Sequence, residues 1–435
     1  MARGKKKETL TLEERLQAAL VPESEQPYKV PGNWYWTFLK PISKIRTGKK
    51  DANYGSVDGE YPFFTCAAEP IRCHGYSFDC NAILLAGNGD INNISRYNGK
   101  FEAYQRTYVV EIIEPINIDY VFYWFKYRWF DFNKDKMFGT AIPYIRLGNL
   151  QEFPIPLPPL PEQQRIVDRI ESLFAKLDEA KQKAQDALDS FETRKAAILH
   201  KAFTGELTAQ WRKEHGVGME SWENVSVSEI CHSLKYGTAK KSSSEGTVVV
   251  IRMGNLQDGE ISWDDLAYSN DEEDIEKYKL VPGDVLFNRT NSPALVGKTS
   301  IYRGEYPAIY AGYLIKLDYD RSRIIGDYLN YSLNTVSAKE YCNSVKTDGV
   351  NQSNINAKKI GAYRFDMPKI NEQSEIVRLL DDLLAKEQQA KEAAERVLEQ
   401  IDLIKKAILA RAFRGELGTN DPSEESVMEL LKVIM

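Results

Sequence analysis

One segment of the sequence occurs twice in this chain. The stretch KAAILHKAFTGEL at residues 195–207 returns as KKAILARAFRGEL at residues 405–417, with nine of thirteen positions identical at an offset of 210 residues. The match continues upstream without a gap, since the dipeptide EQ at 162–163 recurs at 372–373. Solenoid repeats have periods of roughly 20–50 residues, so this much longer period indicates duplication of a whole folding unit.

Apolar residues within each copy recur at alternating spacings of four and three. Sustained over four heptads, this pattern predicts a coiled-coil helix of about 40 residues, roughly 60 Å long at 1.5 Å per residue. Each copy breaks the stripe once, at Arg194 and at Glu387, and Gly205 and Gly415 follow the last apolar residues, where a helix would stop. The predicted seam residues are Ile166, Ile170, Leu173, Leu177, Phe191, Ile198, Ile376, Leu380, Leu383, Val397, Ile401 and Ile408.

The simplest partner for each stripe is the other copy, because the two match in register and length. The alternative is a pair of unrelated surface helices, each packed on its own domain. The stripe does not distinguish parallel from antiparallel pairing. An antiparallel pair would relate the two repeat units by a pseudo-twofold axis.

Two globular segments lie between the helices, with similar edges and different interiors. Both contain short β-branched or aromatic runs punctuated by Gly, Asn and Pro, which predict strands and turns. The run YVFYWFKYRWFDF at 120–132 contains charges and predicts a core helix rather than a membrane span. The expected fold class is α+β, with two mixed α/β domains and a coiled coil formed by the two long helices. The expected bounds are an N-terminal helical arm at 1–27, a first domain at 28–158, a long helix at 159–207, a second domain at 208–367, a second long helix at 368–418 and a tail at 419–435.

Composition excludes several classes of protein. A net charge of −6 argues against a chain coated in positive charge for nonspecific nucleic-acid binding. Five cysteines are too few and too odd a number for a disulfide framework, and they favour a reducing cytoplasm. The basic start, MARGKKKETL, leads into no apolar run, so a signal peptide is not expected.

Motifs for catalysis and cofactor binding are weak. The GKT at 297–299 lacks the first glycine of a phosphate loop, since Ser292 occupies that position, and the residues after it predict a strand. Cys66, Cys73 and Cys80 include no close pair of the kind that zinc sites use. The four histidines suggest no catalytic triad. A catalytic centre, a metal and a cofactor of the chain's own are therefore not expected.

Polar loops offer the best candidate ligand contacts. Asn and Arg can each make two hydrogen bonds to a base edge, Thr and Ser can reach bases or phosphates, and lysines can contact phosphates. A polar turn after a strand is the alternative interpretation of the loop NRTNS at 288–292. The candidate DNA-binding residues are Lys49, Lys50, Asn88, Arg96, Thr140, Tyr144, Arg146, Lys240, Lys241, Asn288, Arg289, Thr290, Asn291, Lys298, Gln352 and Asn354.

The whole chain resembles the specificity subunit of type I restriction-modification systems. The likeness is carried by the doubled helix, with PLPPLPEQQRIV in one copy and MPKINEQSEIV in the other. It is also carried by the strand motif VVVIRMGNLQDGEISW, followed by GDVLFNRTNSPALVGKTSIY. The order of parts, domain, helix, domain, helix, is the third feature.

The resemblance implies that the chain acts together with other subunits. Each globular segment would be a target-recognition domain reading one half of a split, asymmetric double-stranded DNA site. The two long helices would form an antiparallel coiled coil that fixes the gap between the halves. Two modification subunits would bring S-adenosylmethionine and methylate adenine N6, and restriction subunits would use ATP and Mg²⁺. A coiled-coil adaptor that binds proteins is the alternative, and a self-sufficient nuclease or methylase is a further one.

Two expectations concern the periphery of the chain. The second globular segment is slightly negative, so its acidic run DEEDIE at 271–276 is expected to face away from DNA. A short helix at 11–20 and the tail at 423–435 lie outside the repeat and are expected to dock against the helix pair or a partner subunit.

Overall fold

The computed structural model describes residues 11–350 and 352–435, which form two compact units. Unit 1 comprises residues up to 184 together with 396–435, and unit 2 comprises 185–395. Each unit therefore contains part of both long helices. Of the predicted N-terminal arm, residues 1–10 lie outside the described residues.

The helices include the two long segments that the repeat predicted. In chain order they are α1 Leu12–Ala19, α2 Ile118–Asn133, α3 Leu147–Gln151, α4 Leu160–Asp189, α5 Phe191–Phe203, α6 Ala209–His215, α7 Val227–Ile230, α8 Glu272–Tyr278, α9 Gly326–Leu333, α10 Val336–Val345, α11 Ala357–Gly361, α12 Ile370–Ala412 and α13 Val427–Ile434.

The strands are mostly short and lie in the two globular segments. They are β1 Tyr35–Phe38, β2 Ser43–Thr47, β3 Tyr61–Phe64, β4 Ile71–Cys73, β5 Phe78–Ala86, β6 Ile94–Ala103, β7 Thr107–Ile112, β8 Pro154–Leu157, β9 Glu223–Ser226, β10 Cys231–Tyr236, β11 Val248–Ile251, β12 Leu256–Gln257, β13 Glu260–Ile261, β14 Tyr268–Ser269, β15 Val285–Asn288, β16 Thr290–Asn291, β17 Thr299–Ile301, β18 Ala308–Tyr310, β19 Leu314–Tyr319, β20 Thr347–Asp348, β21 Ser353–Asn354 and β22 Arg364–Met367.

Unit 1 is built on a six-stranded sheet in the order β2-β7-β5-β6-β3-β4, with β1 and β8 paired separately. The helix α2 is the predicted aromatic core helix. Its Tyr120, Trp124 and Trp129 are almost fully buried, and Trp124 lies 4.9 Å from the ring of Phe413, which directly follows α12. The aromatic run therefore joins the globular segment to the base of a long helix.

Unit 2 repeats this plan with additions. Its six-stranded sheet has the order β10-β19-β15-β17-β13-β12, and β9 pairs with β22 as β1 pairs with β8. Two three-stranded sheets, β14-β11-β18 and β16-β21-β20, are added to it. The predicted strands at 248–251 and 285–288 are confirmed, and the residues after GKT form strand β17 as expected. The predicted α+β class is confirmed.

The long helices pair with each other, and within each unit they run antiparallel. In unit 1 the beginning of α4 meets the end of α12, since Ile166 shares one buried cluster with Leu409 and Ala412. In unit 2 the end of α5 meets the beginning of α12, since Leu199 shares a buried cluster with Ile376. Intrachain pairing is therefore confirmed, and the orientation that the stripe left open is antiparallel.

The two breaks in the stripe are partners. Arg194 Nε donates to Glu387 Oε2 at 2.8 Å, so the two charged residues that interrupt the apolar seam neutralise each other. Arg194 also donates to the carbonyl of Ala187 at 3.2 Å and to the hydroxyl of Ser190. The first copy is interrupted at Ser190 into α4 and α5, where the sequence predicted one helix. The Ser190 hydroxyl donates to the carbonyl of Asp186 at 2.8 Å, the kind of bond by which serine bends helices.

The predicted seam is correct at most positions and wrong at Val397. That side chain is 39% exposed, and Ile404, one heptad later, is 42% exposed. Leu398 and Lys405 are half-buried instead, because a straight helix of 3.6 residues per turn drifts away from a strict 3.5-residue stripe. The buried predicted residues are Ile166, Ile170, Phe191, Ile376, Leu380 and Ile401, and the half-buried ones are Leu173, Leu177, Ile198, Leu383 and Ile408.

The repeated AF-x-GEL motif forms the end of each long helix. Phe203 lies 5.1 Å from the ring of Tyr328, as Phe413 lies against Trp124 in unit 1. Gly205 and Gly415 then adopt φ values of 79° and 72°. Only glycine takes this left-handed conformation at little cost, so it turns the chain out of the helix. In each copy, the end of the long helix thus packs one phenylalanine ring against a domain core, and the glycine then ends the helix.

A buried carboxylate ties the other end of each long helix to its unit. Glu372 accepts hydrogen bonds from Thr208 Oγ1 at 2.7 Å, Arg212 Nη1 at 2.7 Å and Trp222 Nε1 at 3.0 Å. In unit 1, Glu162 accepts from Thr419 Oγ1 at 2.7 Å and from Arg165, while burial raises the pKa of its carboxyl. We call these groups the carboxylate clasps.

The neighbouring glutamine completes each clasp from the globular side. Gln163 accepts from the backbone N–H of Asn117 at 2.8 Å, immediately before α2. Gln373 accepts from the backbone N–H of Ile325 at 2.9 Å, immediately before α9. The EQ dipeptide therefore holds the corresponding core helix of each unit against the base of a long helix.

The two terminal segments pack in unit 1. Leu16 of α1 and Leu431 of α13 belong to the same core cluster, and Arg15 donates to the carbonyl of Met435. Arg165 of α4 pairs with Glu424 of the tail at 2.8 Å. The expected docking of arm and tail against the long helices is therefore observed within unit 1.

We expect Glu372→Ala to destabilise unit 2 by about 3–5 kcal/mol, because it leaves the buried guanidinium of Arg212 without its carboxylate. Urea unfolding followed by tryptophan fluorescence would measure this loss. The control is Glu375→Ala, one helical turn along, which removes only a surface pair with Arg378 and should change stability by less than about 1 kcal/mol. Equal effects of the two substitutions would contradict the clasp.

We expect the fold to tolerate an exchange of the two charges between positions 194 and 387, but not two like charges at these positions. Arg194→Glu alone should lower the unfolding midpoint, because it opposes two carboxylates, and Arg194→Glu with Glu387→Arg should recover much of the loss. The pair is partly exposed, so the coupling should be about 1 kcal/mol or less. A double-mutant cycle by thermal unfolding measures it, and additive effects would show that the two breaks do not interact.

Candidate nucleic-acid interface

A cleft of about 1240 Å³ lies in unit 2, at the end of the central strand β15. The loops at 238–242 and 252–257 and the turn at 311–313 form its other walls. The structure brings seven of the predicted residues together here: Lys240, Lys241, Arg289, Thr290, Asn291, Lys298 and Asn354.

Arg289 lies at the centre of this set. Its guanidinium lies over the ring of Tyr236, 4.8 Å from the centroid, a cation–π contact. It donates to the carbonyl of Gly312 at 3.2 Å and to Asn354 Oδ1 at 3.3 Å. Asn354 in turn donates to Thr290 Oγ1 at 2.8 Å. The guanidinium of Arg289 is therefore held in place by uncharged partners.

Asn288 does not belong to the interface, although the sequence placed it there. It is the last residue of β15, its side chain is 0% exposed, and it accepts from the backbone N–H of Thr290 at 3.3 Å. Side chains alternate between the two faces of a strand, and this one points into the interior. The prediction of a base contact by Asn288 is therefore wrong.

The acidic run lies close to a predicted cleft residue. It forms helix α8, and its N-cap Asp271 accepts from the Nζ of Lys240 at 2.8 Å. Asp274 lies 3.5 Å from the same amine. The hydrogen bond to Asp271 raises the pKa of Lys240. Part of the acidic run is therefore paired with this lysine, and its orientation away from DNA stays a prediction.

Gln352 lies outside the cleft lining. It is exposed in the hairpin between β20 and β21, where its carbonyl accepts from the N–H of Gly349 at 2.7 Å. The hairpin pairs with β16 through Asn354 and Thr290. Gln352 thus extends the interface along one edge.

In unit 1, four predicted residues lie on two adjoining loops. Asn88 and Tyr144 lie opposite each other in an isolated β-bridge, whose hydrogen bonds join Gly89 to Pro143 and Ile145 to Gly87, each at 2.9 Å. Exposed Thr140 lies on the same loop as Tyr144. Arg146 lies over the ring of Phe138, 3.9 Å from its centroid, and donates to the hydroxyl of Tyr144 at 3.2 Å.

Lys49 and Lys50 follow β2 on the same side of unit 1. Lys49 is exposed, and Lys50 lies 4.3 Å from the ring centroid of Tyr54. The carbonyl of Lys50 accepts from the N–H of Gln105 at 2.9 Å, which places these lysines beside the turn before β7. A hollow of about 320 Å³ beside that turn is lined by Gln105 and Arg106 and by Gly87 and Ile145, the neighbours of Asn88 and Arg146 in the sequence. None of the predicted residues lines it.

Arg96 is not part of this group. Its Nε lies 2.6 Å from Asp119 Oδ1, at the first turn of α2, and 28% of the side chain is exposed. An arginine satisfied by a neighbouring carboxylate within the fold holds that fold together. The structure therefore removes Arg96 from the candidate interface.

Sequence reasoning missed many of the residues that line these sites, among them Arg106, Arg252 and Tyr313. Arg252 directly follows β11 in the motif VVVIRMGNLQ, and its position at a strand end was a usable signal. Arg106 and Tyr313 each precede a strand, β7 and β19, so their equivalence becomes visible only when the two sheets are compared.

The described part of the chain contains neither a cluster of metal-binding side chains nor a helix suited to cross a membrane. Across 11–350 and 352–435, no group of three or more His, Cys, Asp or Glu side chains could hold a metal ion. Over the same residues, no helix combines the length and apolarity needed to cross a membrane. All five cysteines are free thiols.

Comparison with known proteins identifies the family. The family described as type I restriction modification DNA specificity domain matches twice, at residues 31–188 and 219–399. The chain is 28% identical over 414 residues to the specificity subunit of the type I restriction enzyme EcoDI of Escherichia coli, covering 89% of this chain and 90% of that protein. It is 25% identical to the MjaVIII specificity subunit of Methanocaldococcus jannaschii, covering 89% and 94%.

Solved structures agree on the fold. The HsdS subunit from Thermoanaerobacter tengcongensis aligns with a TM-score of 0.62 at 20% identity, over 91% of this chain and all of that one. A chain from a study of complex assembly in the type I restriction-modification system aligns with a TM-score of 0.63. The chain belongs to the family of type I restriction-modification DNA specificity subunits, the non-catalytic subunits that recognise DNA in these systems.

Proposed function

We propose that this chain reads a bipartite, asymmetric double-stranded DNA site, with one recognition domain for each half and the helix pair setting the gap between them. In this proposal it directs adenine N6 methylation and restriction by other subunits.

One observation carries the proposal: the two units offer different side chains at the same point of one backbone plan. Asn88 pairs with Tyr144 after the central strand of unit 1, and Thr290 pairs with Asn354 after the central strand of unit 2. A shared frame with different polar groups is what two readers of different sequences require, because base edges are distinguished by their donor and acceptor patterns.

The partners and cofactors follow from the same proposal. Two modification subunits would bind the chain and bring S-adenosylmethionine, and restriction subunits would bring ATP and Mg²⁺. A cytoplasmic location, predicted from the cysteines, is part of the proposal. The protein-binding adaptor without DNA specificity is disfavoured by the family assignment.

Sequencing of methylated adenines tests the proposal. DNA from cells that express this chain with its methyltransferase partner should carry one methylated motif made of two short, unlike halves with a constant gap. The control is the partner expressed alone, which should leave that motif unmethylated. A continuous motif, or methylation independent of this chain, would refute the proposed role.

We expect Asp271→Asn to strengthen binding to DNA of arbitrary sequence. Asparagine keeps the N-cap of α8 but frees Lys240 to contact a phosphate. The slope of log affinity against log salt should steepen by about one. Fluorescence anisotropy on a mixed-sequence duplex measures this slope. Glu276→Gln, on the same helix with the same change in charge, is the control and should have the smaller effect.

A further inference from the structure

The two units share a hydrogen-bonded frame at the end of the central strand. In unit 1 the N–H of Gly87 donates to the carbonyl of Arg106 at 2.8 Å, and the N–H of Ile145 donates to the carbonyl of Gly87 at 2.9 Å. In unit 2 Arg289 donates to Tyr313 at 3.0 Å, and Ile355 donates to Arg289 at 2.8 Å. Gly87 is therefore the counterpart of Arg289, and Arg106 is the counterpart of Tyr313.

The two units place an arginine on opposite strands of this hydrogen-bonded frame. Unit 2 places it after β15, opposite a tyrosine, whereas unit 1 places it before β7, opposite a glycine. A Cβ at Gly87 would overlap the carbonyl oxygen of Arg106, so unit 1 has no room for a side chain there. Each unit thus brings one guanidinium to the frame, from opposite strands of the same backbone pair.

Charge separates Arg289 from the other arginines of its unit. Eight of the nine arginines in the described part of unit 2 lie within 4.0 Å of a carboxylate, and Arg289 does not; the eight are Arg194, Arg212, Arg252, Arg303, Arg321, Arg323, Arg364 and Arg378. Arg106 is exposed and has no carboxylate within that distance among the described residues. Arg289 and Arg106 therefore have no carboxylate partner in the described part of the chain, a property that Arg72 and Arg146 of unit 1 share.

The donors of Arg289 are only partly used. A guanidinium has five N–H groups, and here one on Nη1 and one on Nη2 bind Gly312 and Asn354. The Nε–H is buried without a partner. One N–H remains on each terminal nitrogen, held in a fixed plane by the ring of Tyr236. A planar guanidinium with free N–H groups is the side chain that most often contacts the O6 and N7 acceptors of guanine in the major groove.

We propose that Arg289 and Arg106 are the specificity-determining residues that each read a guanine, one in each half of the DNA site. This rests on the proposed function. It goes further by naming the base that is recognised in each half of the site. It also includes Arg106, which is not among the predicted DNA-binding residues.

The test compares methylation motifs. The full chain is expressed with its methyltransferase partner, and methylated adenines are sequenced for the wild type, Arg289→Lys and Arg106→Lys. Lysine keeps the charge but loses the two-donor fork. Each variant should relax one guanine position in one half-site, a different half for each, with discrimination falling by about 5- to 150-fold, as expected for one bidentate contact. Arg169→Ala, an exposed arginine on α4, is the control and should keep the wild-type motif.

Several outcomes would overturn the proposal. If methylation weakens evenly over all sites with no base relaxed, the arginines contact phosphates instead. If Arg146→Lys rather than Arg106→Lys relaxes the half-site of unit 1, the guanidinium has been assigned to the wrong residue. A wild-type motif that is bipartite but lacks guanine in one half refutes the assignment for that unit alone. A wild-type chain that specifies no bipartite motif refutes the proposed function as well. Thermal unfolding of each variant separates these results from misfolding.

Discussion

The structure depends on two buried carboxylates, Glu162 and Glu372, one at the base of each long helix. An ionised carboxylate in the interior is stable only with several donors around it. Each clasp takes donors from the segment that follows the opposing helix, and Arg165 of α4 itself also donates to Glu162. Because these hydrogen bonds are directional, they fix the angle at which each pair of helix ends leaves its globular segment. The glutamine beside each carboxylate extends this control to the core helix of the unit.

The seam between the helices uses the same principle with less burial. An apolar stripe lets helices slide by a heptad at modest cost, whereas a single charged residue on each stripe has only one good partner. Arg194 and Glu387 meet at 2.8 Å, so what look like defects in two separate patterns specify one register. The family assignment gives this a purpose, since a subunit that recognises a divided DNA site requires a constant separation.

Much of this architecture was predictable from the repeat. The duplicated motif, the long helices, their glycine stops and several strands follow from periodicity and local chemistry. The errors have identifiable physical causes. Asn288 was misjudged because the inward or outward direction of a strand residue depends on a register that sequence does not show. Val397 was misjudged because the helix rotates slightly less per residue than a heptad pattern assumes, so the buried face moves to later positions.

The candidate interface was predicted less completely than the fold, since it is assembled from distant loops. Lys240 and Arg289 are 49 positions apart in the sequence yet line one cleft, and only the sheet topology brings them together. Arg106 was not predicted because no motif surrounds it. Its importance emerges from the hydrogen bond to Gly87 and the equivalent bond in unit 2.

The acidic helix α8 has a kinetic consequence. If DNA enters this cleft as proposed, a phosphate that approaches Lys240 must first displace Asp271 and meets the nearby charge of Asp274. A duplex of unrelated sequence would then gain little from that amine and would dissociate quickly, so the subunit would lose less time on unrelated DNA during its search.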